Sequence, residues 1–240
     1  MEQPKNKLIV ALDVDNLQRA RDLLEILRDV VGMFKIGSQL FTAIGPGIVR
    51  EIVNSGGRVF LDLKFHDIPN TVAGAAVEAT RLGVSIFNVH AAGGSEMMRR
   101  AAAAVRETSE REALLRPQVI AVTALTSSDL QVLTDTGVTT SVEQQVLLLA
   151  KLAKASNLDG VVASSREVPL IRSAIPKKDF LIVTPGVRPA GSARGDQRRV
   201  MTPAEAVRAG ADYLVIGRPI IAADDPLRAA QAVIEEIENA

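Results

Sequence analysis

Eight short apolar runs rich in β-branched residues constrain this chain more than any other feature. They are Leu8–Leu12, Phe34–Ile36, Val59–Leu63, Ser85–Val89, Val119–Val122, Gly160–Ala163, Phe180–Val183 and Tyr213–Ile216. Segments with helical spacing lie between them. The spacing predicts helices over Leu17–Leu27 behind an Asn16 cap, Thr71–Leu82, Gly94–Glu107, Ser141–Ala155 with a Ser141/Gln144 start, Thr202–Ala209 with Pro203 in its first turn, and Pro226–Ile237. Near-continuous apolar strands alternating with helices mark a parallel sheet covered on both faces. Eight such units in 240 residues match an α/β fold of the (β/α)8 TIM-barrel type, whose typical length is about 250 residues. The competing architecture is a doubly wound open sheet. The Gly- and Pro-rich stretches follow strands as βα loops would, so residues 1–240 are expected to form a single barrel domain.

Composition narrows the chemistry. Lys and Arg number 28 and Asp and Glu 28, so the net charge is zero, which disfavours nucleic acid as a partner. With no Cys and only two His, disulfides, thiolate nucleophiles and Cys- or His-rich metal centres are excluded. Catalysis would have to come from Asp, Glu, Lys, Arg or hydroxyl groups. No apolar stretch is long enough to span a bilayer, and Met1–Lys7 is polar, so a cytoplasmic location and no membrane association are expected.

The predicted strands end in polar or small residues: Asp13, Lys35, Asp62 with Lys64, His90, Thr123, Ser164, Thr184 and Gly217. A barrel gathers all of these at one mouth, where charges costly alone can pair. The segment Asp62-Leu63-Lys64-Phe65-His66-Asp67-Ile68-Pro69-Asn70-Thr71 is the densest. The twofold period of a strand turns Asp62 and Lys64 to one side and Leu61 and Leu63 to the other. Pro69 pre-sets the next helix and makes Phe65–Ile68 a short turn able to aim Asp67 away from its strand. A surface ion pair beside a helix start would give the same string, but Asp13 and Lys35 on neighbouring strand ends favour a site. Pro185-Gly186-Val187-Arg188-Pro189 and Ile216-Gly217-Arg218-Pro219-Ile220 follow the last two strands, where barrels often hold a phosphate; alternatively the glycines serve tight turns and the arginines are solvated. His66 and His90 lack metal-ligand spacing and are read as structural.

These residues together resemble the bacterial orotidine 5′-phosphate decarboxylases. The resemblance rests on Val10–Asp13, Phe34–Gly37, FLDLKFHDIPNT at Phe60–Thr71, Asn88–Ala91, VTALTS at Val122–Ser127, TPGVRP at Thr184–Pro189, Gly195–Arg199 and YLVIGRP at Tyr213–Pro219. The aspartate-x-lysine-x-x-aspartate spacing alone is shared with other sugar-phosphate barrels; the full string with its phosphate loop is far more specific. The resemblance implies conversion of orotidine 5′-monophosphate to uridine 5′-monophosphate and CO2, the last step of de novo UMP synthesis, in a homodimer without metal or cofactor. It implies Lys64 as proton donor, flanked by Asp62 and by Asp67 of the other subunit, with Lys35 completing the array. Asp13 and Lys35 would meet the ribose hydroxyls, and Ile68 and Thr71 would reach the neighbouring site. Thr126 would contact the pyrimidine edge and Pro185 line the base pocket, while Arg188, Gln197, Arg218 and the Gly217 backbone would hold the 5′-phosphate.

Residue chemistry is consistent with that reading. Loss of CO2 from C6 leaves an in-plane carbanion outside the π system, so stabilisation must be electrostatic, and Lys64 with Asp62 beside the leaving carboxylate could supply it. A magnesium-dependent sugar-phosphate decarboxylase or aldolase on the same barrel would carry an acidic ligand where this chain has Lys35. A Schiff-base lysine fixed between carboxylates would be a poor nucleophile. A phosphate-binding barrel without catalysis would have no use for all five charges.

Overall fold

The computed structural model describes residues 3–176, 180–189 and 201–240. Its strands are β1 (Leu8–Ala11), β2 (Met33–Gly37), β3 (Val59–Phe65), β4 (Ile86–His90), β5 (Gln118–Val122), β6 (Gly160–Val162), β7 (Leu181–Pro185) and β8 (Tyr213–Ile216). All neighbours pair in parallel, and β1 closes onto β8 with Leu8 opposite Leu214 and Val10 opposite Ile216. Closure excludes the open doubly wound sheet and gives the (β/α)8 barrel. The mixed polar ends expected of the strands therefore share one rim.

Strand alternation sorts the apolar residues into two cores. Leu8 and Val10 of β1, with Leu12 just after it, pack outward under the helices, while Ile9 and Ala11 point into the lumen with Met33, Phe60, Ile86, Ile120, Val183 and Val215. The lumen is thus a packed core and not a channel. Full burial of each large apolar side chain among them is worth roughly 1.5–3 kcal/mol.

Helices cover the outer face: α1 (Leu17–Leu27), α2 (Ser38–Ile44), α3 (Gly47–Asn54), α4 (Pro69–Arg81), α5 (Gly94–Glu112), α6 (Leu130–Asp135), α7 (Val142–Ala155), α8 (Val168–Ala174), α9 (Pro203–Ala209), α10 (Arg218–Ile221) and α11 (Pro226–Glu238). The expected starts appear as caps. Asn16 accepts the Arg19 N–H at 2.9 Å, and Ser141 and Gln144 form a reciprocal capping box, satisfying backbone donors that helix starts leave open. Pro69, Pro203 and Pro226 each stand in a first turn, so α4 begins two residues before the expected Thr71. Helix α5 runs past Glu107 to Glu112 and stops where Ala113 turns left-handed, at φ 51°. Not expected from spacing were α2, α3, α6, α8 and α10. These are short, and Gly45-Pro46-Gly47 interrupts α2 and α3, leaving too few turns for a periodic signal. Among the described residues, no helix is long and apolar enough to cross a membrane.

Candidate active site

The rim at the strand C-termini carries a line of alternating charge. The Lys35 ammonium, from β2, lies 2.9 Å from Asp13 Oδ1 and 3.4 Å from Asp62 Oδ2. Asp62 Oδ1 in turn accepts from Lys64 Nζ at 2.7 Å. The order Asp13, Lys35, Asp62, Lys64 places every charge beside an opposite one, which offsets the cost of partial burial. Side-chain exposure grades along the line: 11% at Lys35 and 13% at Asp62, against 34% at Lys64 and 48% at Asp13. The inner pair is therefore set by the fold, and the outer groups can meet a ligand.

The geometry at Lys64 is unusual. Pairing of β3 with β4 runs Phe60 to Ile86 and Leu61 to Phe87, then resumes at Phe65 to Val89. Four steps along β3, Leu61 to Phe65, match two steps along β4, Phe87 to Val89, so β3 carries two extra residues in a bulge. An even insertion preserves parity. Leu61, Leu63 and Phe65 still face the outer core, while Asp62 and Lys64 line the mouth cavity, as twofold alternation predicts. Lys64 nonetheless has φ 53°, a left-handed conformation that costs a non-glycine residue about 1–3 kcal/mol and clusters at functional sites.

A cavity of about 230 Å³ opens beside the charges. Its lining combines the charged Lys35, Asp62 and Lys64 with apolar Phe60, Val122, Val162, Pro185 and Val215, and includes Thr126. A pocket of that size with both charged and apolar lining suits a small polar ring. A larger cleft of about 540 Å³ contains none of the polar strand-end residues, and two of its charged residues, Arg21 and Glu51, are spent on a bidentate pair.

Arg188 and Arg218 follow β7 and β8, which are hydrogen-bonded neighbours, so both stand on the same arc of the rim. The Gly186 φ of 78° needs glycine and turns the chain after β7. Arg188 is buried, its backbone N–H donating to the Met201 carbonyl at 3.1 Å, whereas Arg218 is exposed. A β-carbon on Gly217 would lie 3.6 Å from Asp13 Oδ2, which sets this arc beside the charge line. Gln197, with Arg194, Arg198 and Arg199, lies outside the described residues.

Asp67, Ile68 and Thr71 are exposed on the outer rim and do not line the cavity. The Asp67 carboxylate accepts the Ile68 N–H at 2.6 Å and makes no ion pair among the described residues. Nothing among the described residues brings it to Lys64. The His66 and His90 rings stand 5.6 Å apart. Burial holds the His90 pKa below the ordinary histidine range, with the His66 and Lys64 charges adding to that and Asp62 opposing it. Sequence reasoning gave no role to Gly37 or Asn88. A β-carbon at Gly37 would lie 2.8 Å from Lys35 Nζ, and Asn88 is fully buried against Asp62. Apart from its place in the quoted motif, Asn88 had one possible signal: a polar residue inside an apolar strand run.

Comparison with known proteins agrees with the geometry. The family model described as orotidine 5′-phosphate decarboxylase / HUMPS matches residues 6–233. The chain is 60% identical over 237 residues to orotidine 5′-phosphate decarboxylase of Moorella thermoacetica, covering 98% of this chain and 93% of that protein. It is 57% identical to the enzyme of Geobacter sulfurreducens, with 98% of each covered. The solved structure of orotidine 5′-phosphate decarboxylase from Lactobacillus acidophilus superposes with a TM-score of 0.84 at 39% identity, covering 97% of this chain and 99% of that one. On sequence over nearly its full length and on fold, the chain belongs to the orotidine 5′-phosphate decarboxylase / HUMPS family.

Proposed function

We propose that this protein decarboxylates orotidine 5′-monophosphate to uridine 5′-monophosphate, closing de novo UMP synthesis, and that it does so with its own charged side chains alone. The observation that carries the reading is the Asp13–Lys35–Asp62–Lys64 line at a cavity lined by both charged and apolar side chains. The pyrimidine enters the cavity against Pro185 and Val215, its edge meeting Thr126. The ribose hydroxyls meet Asp13 and Lys35, and Arg188, Arg218, the Gly217 backbone and Gln197 receive the phosphate, the arginines as charge-assisted donors.

The C6–carboxylate bond breaks heterolytically and its electron pair stays on C6. That pair lies in the ring plane and cannot spread into the π system, so nearby positive charge must stabilise it. The Lys64 ammonium, fixed by Asp62 at 2.7 Å, stands ready at the developing carbanion and then gives C6 its proton, leaving a neutral amine. Asp62 beside the substrate carboxylate competes with it for Lys64, a conflict relieved as CO2 departs.

The working unit in this proposal is a cytoplasmic homodimer. Asp67, Ile68 and Thr71 are exposed in the single chain, and each subunit supplies them to its neighbour's site, where Asp67 gives Lys64 a second carboxylate. The family also suggests a magnesium-dependent sugar-phosphate enzyme. Here the Lys35 ammonium occupies the space between the carboxylates of Asp13 and Asp62, so a divalent cation would meet a like charge. The deciding test is ultraviolet absorbance during incubation with orotidine 5′-monophosphate and chelator, beside the Lys64→Ala variant. Turnover that chelator spares and the variant abolishes is the expected result; binding without turnover, or loss to chelator, overturns it.

A further inference from the structure

We propose that Asn88 is a positioning residue for decarboxylation, holding both the carboxylate of Asp62 and the left-handed backbone of Lys64 from one fully buried amide. The proposal rests on the decarboxylase reading above.

Asn88 is the single β4 residue between Phe87 and Val89, and it faces the three bulged residues Asp62, Leu63 and Lys64 of β3. Across a bulge the regular ladder cannot pair every backbone group. The Asn88 side chain replaces it: Oδ1 accepts the Lys64 backbone N–H at 2.8 Å. Its Nδ2 donates to Asp62 Oδ1 at 2.7 Å, the same oxygen that accepts from Lys64 Nζ. Asn88 itself has no exposed surface, so its amide is held within the protein.

One planar group thus fixes both ends of the Lys64 residue, its main chain directly and its ammonium through Asp62. The requirement for asparagine is chemical. An acceptor and a donor must sit side by side on a short stem; aspartate lacks the donor and would set a second carboxylate against Asp62, alanine lacks both, and glutamine is one methylene too long for a packed lumen. Without the amide, the Lys64 N–H loses its bond and the strained φ its restraint, and Asp62 is held only by its ion pairs with Lys35 and Lys64. The ammonium then no longer stands where charge develops at C6. Asn88 holds none of Asp13, Thr126, Pro185, Arg188 or Arg218, so most ground-state binding should survive.

Asn88→Ala and Asn88→Asp are compared with wild type for kcat and KM on orotidine 5′-monophosphate, for uridine 5′-monophosphate affinity and for thermal melting. Misplacing a catalytic group by about 1 Å costs about a hundredfold, so kcat should fall by about that factor in both variants while KM and product affinity stay within about fivefold. Asn88→Asp keeps the shape and the acceptor for the Lys64 N–H, and it decides the matter should Asn88→Ala not fold. A kcat within about threefold of wild type in a folded variant, or a loss carried by KM and product affinity alone, overturns the proposal. Failure of both variants to fold overturns it too, since Asn88 would then be structural. An inactive wild type sinks the decarboxylase assignment itself, whereas active wild type and active variants sink only the role of Asn88.

Discussion

The Lys35 ammonium sits 2.9 Å from Asp13 Oδ1 in space that a β-carbon at Gly37 would enter, 2.8 Å from Lys35 Nζ and 3.3 Å from Asp13 Oδ1. The backbone of Gly37 is extended, with φ −94°, so an L side chain is tolerated there without strain. Glycine is needed for the ion pair and not for the turn.

Gly37→Ala should therefore displace the mobile end of Lys35 and leave the barrel standing. The expected outcome is a fall in kcat/KM of about tenfold to a hundredfold, equivalent to about 1.4–2.7 kcal/mol of lost transition-state stabilisation. Steady-state kinetics beside a melting curve checks it. A large fall in melting temperature with unchanged turnover per folded molecule would contradict the assignment.

At the start of β7 and β8, far along the strands from the mouth, Arg172 ties three segments together. It donates from Nε to the Gly210 carbonyl at 3.0 Å and from Nη1 to the Phe180 carbonyl at 2.6 Å, and it pairs with Asp212. Asp212 also accepts the Ile182 N–H at 2.7 Å. Arg172→Ala would leave a mostly buried carboxylate and two carbonyls without these donors, at a cost of about 3 kcal/mol. In a chain of this length that is about 6–12 °C in melting temperature. The kcat of the folded fraction should not change, because this end of a barrel serves stability; thermal melts and kinetics on the same sample test both halves.

Acid should weaken the fold first through His90. Its folded pKa is depressed, chiefly by burial, so below the unfolded value of about 6.5 the unfolded chain binds a proton that the folded chain refuses. Stability from this group is complete above that pH and declines as pH falls toward the folded pKa. The Glu112 carboxyl, held at about 2 by Arg81 and Arg111, acts in a separate window, which runs from the ordinary carboxylate value down to about 2. Urea titrations between pH 7 and pH 5 should show falling stability in wild type and a shallower fall in His90→Gln. Identical slopes would mean that His90 titrates alike in both states.

A site shared between subunits can be tested by mixing. Lys64→Ala and Asp67→Ala proteins should each be nearly inactive alone. After subunit exchange at equal amounts, half of the dimers are hybrids with one native site each, so about a quarter of wild-type activity should return. No recovery after exchange confirmed by mass would place Asp67 outside its neighbour's site.

Much of the architecture was legible because it follows from periodicity. The run Leu8–Leu12 already reads as a strand buried on both faces, and the eightfold repeat of strand and helix admits few closures. Asn16, Ser141 and Pro203 announce helix starts through local chemistry that needs no tertiary partner. The charges at Asp13, Lys35, Asp62 and Lys64 were visible as strand ends, and closure alone was enough to bring them to one rim.

The sequence by itself determined the strands, the principal helices, the stock of charged groups and the family. Only the tertiary structure decided how those groups hold one another. The two-residue bulge in β3, the left-handed backbone of Lys64, the buried amide of Asn88 that bridges both and the need for glycine at position 37 beside the Lys35 ammonium all depend on contacts between strands β1 to β4. Local propensity reports the cost of a conformation to its own residue; whether neighbouring strands repay that cost depends on atoms that meet only when the barrel closes.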